Sequence, residues 1–248
     1  PAASLGDIGF VGWTSGSTGT PKAMGVTAFR IAHWSRWRTF HTPACEFGTR
    51  AAMNLFWAWY WHIPLTQGRT LCITPSEANT DVIALVRHLE VLQADYVDCL
   101  TPGQLQLITE ICDELPPTLR HVFSSGEALP LATARHFLTK FPRVALHNVL
   151  STTETAADIC MQLHLSRDLC DELAASGFTH LPVMDAAASA SLVWNNTVDL
   201  EPDTGRLIWR GWNVEAGYLV GGDSAGFNPD GTSLPAIGAH PNVFVSND

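Results

Sequence analysis

The feature that most constrains the fold is a regular alternation of strand and helix patterns between residues 68 and 149. Short apolar runs that indicate buried strands alternate with longer segments whose apolar residues recur at helical spacing. The predicted strands are 68–73, 95–100, 119–123 and 144–149, and the predicted helices are 81–94, 104–115 and 130–141. Elements that alternate at this spacing form βαβ units, so an α/β fold with a parallel-sheet core and flanking helices is predicted.

The pattern changes near residue 191, after which short strands are separated by turns. We therefore predict a central α/β part over residues 1–190 and a β-rich subdomain over residues 191–248 of the same domain. A further strand is predicted at 8–13 and a further helix at 26–40. A strand so close to the first residue, and another strand pattern at the last residues, lead us to expect a fragment of a longer protein.

Composition excludes several classes of protein. The 248 residues are 46% hydrophobic and 15% charged, which is typical of a globular chain with a sizeable core. A net charge of −10 argues against a nucleic-acid-binding surface, and the longest apolar run, near residues 55–61, is too short to span a membrane. The six cysteines include no Cys-x-x-Cys pair, so we expect them to be reduced in a cytoplasmic protein.

The loop after the first predicted strand has the composition of a phosphate-binding loop. Glycines allow the backbone to approach a ligand closely, while hydroxyls and backbone N–H groups donate to phosphate oxygens. It does not fit the P-loop pattern, because Ala23 stands where that pattern has a hydroxyl. A polar surface turn is the alternative. The residues expected to bind phosphate are Thr14, Ser15, Gly16, Ser17, Thr18, Gly19, Thr20 and Lys22.

Residues 14–22 match the pattern Thr-Ser-Gly-Ser-Thr-Gly-x-Pro-Lys at every position. This pattern resembles the phosphate loop of the adenylate-forming superfamily, which includes acyl-CoA ligases, adenylation domains of nonribosomal peptide synthetases and fatty acyl-AMP ligases. The resemblance runs from about Phe10 to the end of the chain. It implies that the loop holds the β- and γ-phosphates of ATP and that Lys22 holds the leaving pyrophosphate.

The segment Ser124–Pro130 resembles the superfamily's Gly-Gly-Glu-Ala-Leu segment, with Ser125 in place of the first glycine. The resemblance implies that Gly126 and Glu127 line the nucleotide pocket. The alternative is an ordinary helix N-terminus that Ser125 caps and that Glu127 stabilises.

Residues 148–155 resemble the superfamily's Asn-x-Tyr-Gly-x-Thr-Glu segment, although Leu150-Ser151 replaces Tyr-Gly. The resemblance implies that Thr153 binds the α-phosphate and that Glu154 is a ligand of Mg²⁺. A hydroxyl-rich capping cluster is the alternative. The same resemblance adds three residues to the nucleotide site, namely Asn148, Ser151 and Thr152.

A fourth stretch, residues 204–219, resembles the superfamily's Gly-Glu-Leu … Gly-Tyr strand pair. The superfamily then has a Thr-Gly-Asp motif whose aspartate binds the ribose hydroxyls. Asp248 has the expected spacing from Tyr218, and Asp223 keeps the preceding glycine but lies only five residues on. We expect Asp248 to be the ribose ligand and leave Asp223 as the alternative.

The resemblance implies a ligase that uses ATP and Mg²⁺ to convert a carboxylic acid into an acyl-adenylate. It implies transfer of the acyl group to the phosphopantetheine thiol of a carrier-protein domain or to CoA. In the superfamily a lysine of a separate C-terminal domain contacts the reacting groups, so we expect residues 1–248 alone to have little activity. A catalytically degenerate domain that serves as a scaffold is the alternative.

The acid is the least defined part of this function. Adenylation domains of peptide synthetases have Phe-Asp ahead of a Pro-Leu-x-x-Gly segment, and aligning Pro64–Gly68 to that segment places Asn54-Leu55 at Phe-Asp. Leu55 cannot pair with an α-ammonium group, so a fatty, aryl or β-amino acid is expected. The aromatic run at 55–61 forms either a wall of this pocket or ordinary core.

Overall fold

The computed structural model describes residues 5–13, 23–54, 57–155, 157–182, 191–203, 207–212 and 242–245. The chain divides into two compact units that interleave along the sequence. The first unit comprises Pro1–Trp37, Ser151–Ile159 and Leu192–Asp248, and the second comprises Arg38–Leu150 and Cys160–Ser191. The predicted organisation into residues 1–190 and 191–248 stays a prediction.

The strands and helices of the described residues follow one another in a mixed order. The strands are β1 (Ile8–Trp13), β2 (Ala23–Thr27), β3 (Arg50–Met53), β4 (Thr70–Ile73), β5 (Tyr96–Leu100), β6 (His121–Ser124), β7 (Ala145–Thr152), β8 (Ala157–Gln162), β9 (Ser191–Leu192), β10 (Asn196–Leu200), β11 (Leu207–Gly211) and β12 (Asn242–Val245). The α-helices are α1 (Ala28–His41), α2 (Ala44–Phe47), α3 (Trp57–Tyr60), α4 (His62–Thr66), α5 (Val82–Val91), α6 (Pro102–Ile111), α7 (Leu131–Lys140) and α8 (Arg167–Ala175). Short 3-10 helices span Ser76–Asn79 and Thr153–Thr155.

The main sheet has the strand order β4-β3-β5-β6-β7-β8-β9. The pairs β3–β4, β3–β5, β5–β6 and β6–β7 are parallel. Helices α5, α6 and α7 each connect two successive strands between β4 and β7. This arrangement confirms the α/β fold with a parallel-sheet core, because connections through helices are what parallel neighbours require.

Local sequence explains where the crossover helices begin. The Asp81 carboxylate accepts hydrogen bonds from the backbone N–H groups of Ile83 and Ala84, at 2.9 and 3.0 Å, and so caps α5. Thr101 and Gln104 form a capping box at the start of α6, with Pro102 in the first turn. These caps satisfy backbone donors that have no partner within a helix.

The core of the second unit lies between the sheet and its crossover helices. Every residue of β5 is buried, as expected for a central strand covered on both faces. One apolar face of each crossover helix packs into this core, through residues such as Leu85 and Leu89 of α5 and Leu105 and Ile108 of α6.

The first unit contains two antiparallel sheets among the described residues. One pairs β1 with β2, and the other has the order β10-β11-β12. Val26 and Thr27, which were predicted to open a helix, end strand β2 instead. Both are β-branched, and this stiffness at χ1 favours an extended backbone. Within the part of the chain that the structure describes, no helix has the length and apolar character needed to cross a membrane.

Candidate active site

The loop after β6 begins beside β7, because Ser124 is the parallel partner of Asn148. Ser125 is buried, and its backbone N–H donates to the Leu100 carbonyl at 2.9 Å. Gly126 follows with φ of 93°, a left-handed conformation that glycine adopts without steric cost. Gly126 and Glu127 are exposed at the turn. The loop therefore presents the two predicted nucleotide-pocket residues at the carboxyl end of β6, the edge where ligands bind in open α/β sheets.

Helix α7 begins at Leu131 with Pro130 as its N-cap residue. Ser125 lies five residues earlier and does not cap this helix, so the alternative interpretation of Ser125 as a helix cap is wrong. The segment between β6 and α7 is a loop, and Glu127 lies in this loop and not in the first turn of the helix.

Asn148 lies on β7 and is buried. Its side-chain amide donates to Oε1 of Gln162 at 3.0 Å, and Nε2 of Gln162 donates to the Pro182 carbonyl at 2.7 Å. These two hydrogen bonds connect β7, β8 and the segment at Pro182 within the second unit. They hold Asn148 in place beside Ser124, the last residue of β6, and a fixed side chain is what a precise binding position requires.

The predicted α-phosphate and magnesium residues lie in the first unit, where β7 ends and a 3-10 helix begins. The hydroxyl of Thr155 is buried in this turn and lies 3.0 Å from the Thr152 hydroxyl and 3.2 Å from the Thr152 carbonyl. Ser151, Thr152, Thr153 and Glu154 are half-buried. The contacts of the Thr155 hydroxyl with Thr152 thus stabilise the turn from within. The side chains of Thr153 and Glu154 remain partly accessible in this turn.

Ala157, which follows this turn, has φ of 126°. A non-glycine residue in this region of the Ramachandran plot is strained by roughly 1–3 kcal/mol, and such strain clusters at functional sites. The strained residue lies three positions after Glu154, in the same unit.

Several predicted site residues lie outside the described residues. These are the loop Thr14–Lys22, the stretch 213–219 with its Gly-Tyr pair, and both candidate ribose ligands, Asp223 and Asp248. Their roles stay predictions.

Two polar side chains to which the sequence analysis assigns no role lie at the carboxyl ends of β3 and β6. Asn54 directly follows β3, and its Oδ1 accepts from the Thr74 hydroxyl at 3.2 Å. Within the described chain, Nδ2 of Asn54 and Oγ of Ser124 are buried and have no hydrogen-bond partner. Leaving a buried polar group unsatisfied costs about 1–3 kcal/mol, so both atoms are candidate contacts for a ligand or for water.

A buried ion pair joins Arg38 to strand β5. Nη2 of Arg38 lies 2.8 Å from Oδ2 of Asp98 on β5, and both side chains are almost fully buried. The guanidinium of Arg38 also lies over the Phe123 ring, 4.5 Å from its centroid. Nearby, burial and the charge of Asp98 raise the pKa of Tyr96 to about 12, so its phenol stays protonated. No sequence pattern signals this pair, since its members are 60 residues apart.

The described residues contain no group of three or more His, Cys, Asp or Glu side chains that could hold a metal ion. A site that relies on one protein carboxylate is consistent with Mg²⁺, which often binds through one or two carboxylates together with substrate phosphates. Glu154, half-buried in its short turn, fits this requirement.

Comparison with known proteins agrees with the motifs. The family model for the AMP-binding enzyme matches residues 1–219. The D-alanine–D-alanyl carrier protein ligase of Bacillus velezensis is 27% identical over 230 residues, which are 86% of this chain and 43% of that protein. Enterobactin synthase component F of Escherichia coli is 30% identical over 174 residues, which are 60% of this chain and 12% of that protein. The chain spans less than half the length of these relatives.

A solved structure supports the same fold. The Klebsiella oxytoca NpsA N-terminal subdomain, in complex with anthranilyl-AMSN, has a TM-score of 0.71 and 21% identity, and the match covers 100% of this chain and 62% of that chain. The parallel sheet, the order of the motifs and the family match lead to one conclusion. The chain belongs to the AMP-binding enzyme family, the adenylate-forming enzymes that its motifs resemble.

Proposed function

We propose that this chain is part of an AMP-forming ligase that activates a carboxylic acid with ATP and Mg²⁺ and passes the acyl group to a thiol. The observation that carries the proposal is the family match over residues 1–219, which includes both the loop 14–22 and the segment 148–155. A carboxylate oxygen of the acid attacks the α-phosphorus of ATP, and the bond from that phosphorus to pyrophosphate breaks. The products are an acyl-adenylate and pyrophosphate.

The residues of the phosphate loop have the role of holding the triphosphate during this attack. Because an anion approaches an anion, the site must neutralise charge and fix the in-line geometry. We assign the β- and γ-phosphates to Thr14, Ser15, Gly16, Ser17, Thr18, Gly19, Thr20 and Lys22. Lys22 then also stabilises the leaving pyrophosphate, and the Thr153 hydroxyl donates to the α-phosphate.

Glu154 is the proposed protein ligand of Mg²⁺, because its half-buried carboxylate suits an ion that often binds through one or two carboxylates. When bound, the ion offsets the negative charge of the phosphate oxygens. The internal hydrogen bonds of Thr155 favour this role, because they fix the turn that carries Thr153 and Glu154. Gly126, Glu127, Asn148, Ser151 and Thr152 would line the nucleotide pocket, and Asp248, or alternatively Asp223, would bind the ribose.

For the acid, we propose a substrate without a standard α-ammonium contact, in the classes of fatty, aryl or β-amino acids. Leu55 gives no charge to pair with an ammonium group. The buried, unpartnered Nδ2 of Asn54 and Oγ of Ser124 would suit a neutral polar substituent instead. An aryl acid is favoured by the anthranilyl analogue bound to the NpsA subdomain.

For the acceptor, we propose the phosphopantetheine of a carrier protein, with CoA as the alternative. The name of the Bacillus velezensis relative, a D-alanyl carrier protein ligase, favours the carrier protein. A cytoplasmic location is part of this proposal, since ATP and both acceptors are available there. We also propose that residues 1–248 alone catalyse little pyrophosphate exchange, because the superfamily places a reacting lysine in another domain.

The test is acid-dependent exchange of radiolabelled pyrophosphate into ATP by the full-length protein. The panel contains fatty, aryl, β-amino and standard α-amino acids. We expect exchange with at least one acid of the first three classes. Exchange with standard α-amino acids only would reject the proposed acid class, and exchange with no acid would favour the catalytically degenerate scaffold.

A further inference from the structure

Three histidines of the second unit lie together against Phe47, and with Glu46 they form what we call the histidine cluster. His121 is on β6, His147 is on β7, and His164 lies between β8 and α8. The ring centroid of Phe47 is 4.5 Å from that of His121, 5.4 Å from that of His147 and 5.9 Å from that of His164. His147 is fully buried and His121 is nearly so. The proposed function does not use this cluster.

The hydrogen bonds of the cluster determine where each ring carries its proton. The backbone N–H of His164 donates to Nδ1 of His147 at 3.0 Å, so the hydrogen of the neutral His147 ring is on Nε2. That Nε2 lies 3.1 Å from Nδ1 of His121 and donates to it. The hydrogen of His121 is therefore on its Nε2, and His121 also hydrogen-bonds to the backbone of Glu46.

No nitrogen of the His121–His147 pair can accept a further proton while these bonds remain. A proton on Nδ1 of His147 would face the backbone N–H of His164, and a proton on Nδ1 of His121 would face Nε2–H of His147. If the His147 hydrogen moved to Nδ1, that N–H would face the backbone N–H of His164. Protonation of the pair must therefore break one of the two hydrogen bonds.

The surrounding charges also oppose protonation. Burial lowers the pKa of His147 well below its usual value, and the charges of His164, His121 and Arg38 lower it further. Burial likewise lowers the pKa of His121, helped by His164 and Arg120 and opposed by Glu46. On its exposed side, Nε2 of His164 lies 3.0 Å from Oε1 of Glu46.

We propose that the histidine cluster is an acid-sensitive latch, in which uptake of a proton by the His121–His147 pair releases α2 and the segment that carries His164 from strands β6 and β7. The released rings are ordinary histidines, whose reference pKa is 6.5. Because their pKa values are lower in the closed state, the closed state has its full stability above pH 6.5 and loses stability progressively as the pH falls below that value.

Nitrogen NMR of the chain with labelled histidine tests the closed state of the wild-type protein. Near neutral pH we expect His121 and His147 both to be neutral and both to carry the hydrogen on Nε2. A hydrogen on Nδ1 of either ring would overturn the proposal. This measurement needs no variant, so it stands even if a substitution prevents folding.

Amide hydrogen exchange as a function of pH tests the opening. After correction for the intrinsic exchange rate, protection of the His164 amide relative to α5 should fall below pH 6.5 by about tenfold per pH unit for each proton taken up. His121→Asn keeps an acceptor for His147 but removes one titrating ring, so it should reduce the steepness by one proton. His136→Asn, at an exposed position of α7, is the matched control and should change nothing. Protection that does not depend on pH, or a slope that His121→Asn leaves unchanged, would overturn the proposal.

Discussion

At the scale of single residues, burial determines how much an ion pair contributes to stability. Arg38 and Asp98 form an ion pair whose side chains are 2% and 3% exposed, whereas Arg135 and Asp171 form one whose side chains are 59% and 53% exposed. Water screens the second pair and not the first. Glu154 differs from all four, because its proposed partner is a bound ion.

The two ion pairs should therefore respond differently to truncation. Asp98→Ala leaves the Arg38 guanidinium buried without its carboxylate, and we expect it to lower the free energy of unfolding by about 3–5 kcal/mol. Asp171→Ala, the matched control on the surface, should cost less than about 1 kcal/mol. Urea denaturation measures both, and similar losses for the two variants would contradict this account of Asp98.

The proposed catalytic residues have matched controls too. Glu154→Gln removes the proposed magnesium ligand and Lys22→Ala removes the proposed pyrophosphate contact, so each should lower pyrophosphate exchange by on the order of 100-fold. Glu172→Gln and Arg87→Ala change the same kinds of charge at exposed positions of α8 and α5 and should leave exchange near the wild-type rate. Exchange at the wild-type rate in both site variants would contradict the roles proposed for Glu154 and Lys22.

At the scale of secondary-structure elements, two glycines differ in the space and backbone conformation that their surroundings allow. Gly48 ends α2 with φ of 84°, and a Cβ there would overlap the side chain of Asp95. The Asp95 carboxylate accepts from the backbone N–H groups of Thr49 and Arg50, at 2.7 and 2.9 Å, where β3 begins. Gly103 instead lies in α6, where a Cβ would meet only the Thr101 hydroxyl at 3.9 Å.

The same substitution should thus have opposite effects at the two glycines. Gly48→Ala combines a steric overlap with an unfavourable backbone conformation and should destabilise the chain by more than about 1 kcal/mol. Gly103→Ala should stabilise it by roughly 0.5–1 kcal/mol, because alanine loses less backbone entropy in a helix. Thermal and urea unfolding of both variants would reveal the sign, and a loss of stability in Gly103→Ala would be inconsistent with the α6 environment.

Sequence patterns predicted the elements that carry strong local signals. The amphipathic faces and caps of α5 and α6 and the apolar run of β5 identify those elements without tertiary information. Strand β3, Arg50–Met53, was missed because its two alanines have no β preference, and it is a strand only through its pairing with β4 and β5. The side-chain contacts of Asn54, Ser124 and the Arg38–Asp98 pair were not predicted for a related reason, since they depend on distant parts of the chain.

At the scale of the whole molecule, the half-buried His62 couples stability to pH. Burial lowers the pKa of His62 from 6.5 to about 4, so this ring is neutral in the folded chain near neutral pH. The unfolded chain binds a proton at this histidine below pH 6.5, which the folded chain does not do until about pH 4. The stability contributed by the neutral ring is thus complete above pH 6.5 and is lost as the pH falls towards 4.

His62→Gln should make the free energy of unfolding less dependent on pH between 6.5 and 4. The slope of the unfolding free energy against pH measures the number of protons taken up on unfolding, and we expect the variant to take up nearly one proton fewer. One proton corresponds to about a tenfold change in the unfolding equilibrium constant per pH unit. His136→Gln, at an exposed site, should leave the slope as it is in the wild type. An unchanged slope in His62→Gln would show that His62 titrates normally in the folded chain.

The central claim, that a carboxylate attacks the α-phosphorus of ATP, has a direct isotopic test. The full-length protein is given ATP, Mg²⁺, a thiol acceptor and a substrate acid whose two carboxyl oxygens carry a heavy isotope. Attack at the α-phosphorus puts one labelled oxygen between the acyl group and AMP, and transfer to the thiol leaves that oxygen on AMP. We predict AMP with one heavy oxygen for each acyl transfer and unlabelled pyrophosphate. Label in inorganic phosphate, with ADP as the nucleotide product, would contradict the assignment.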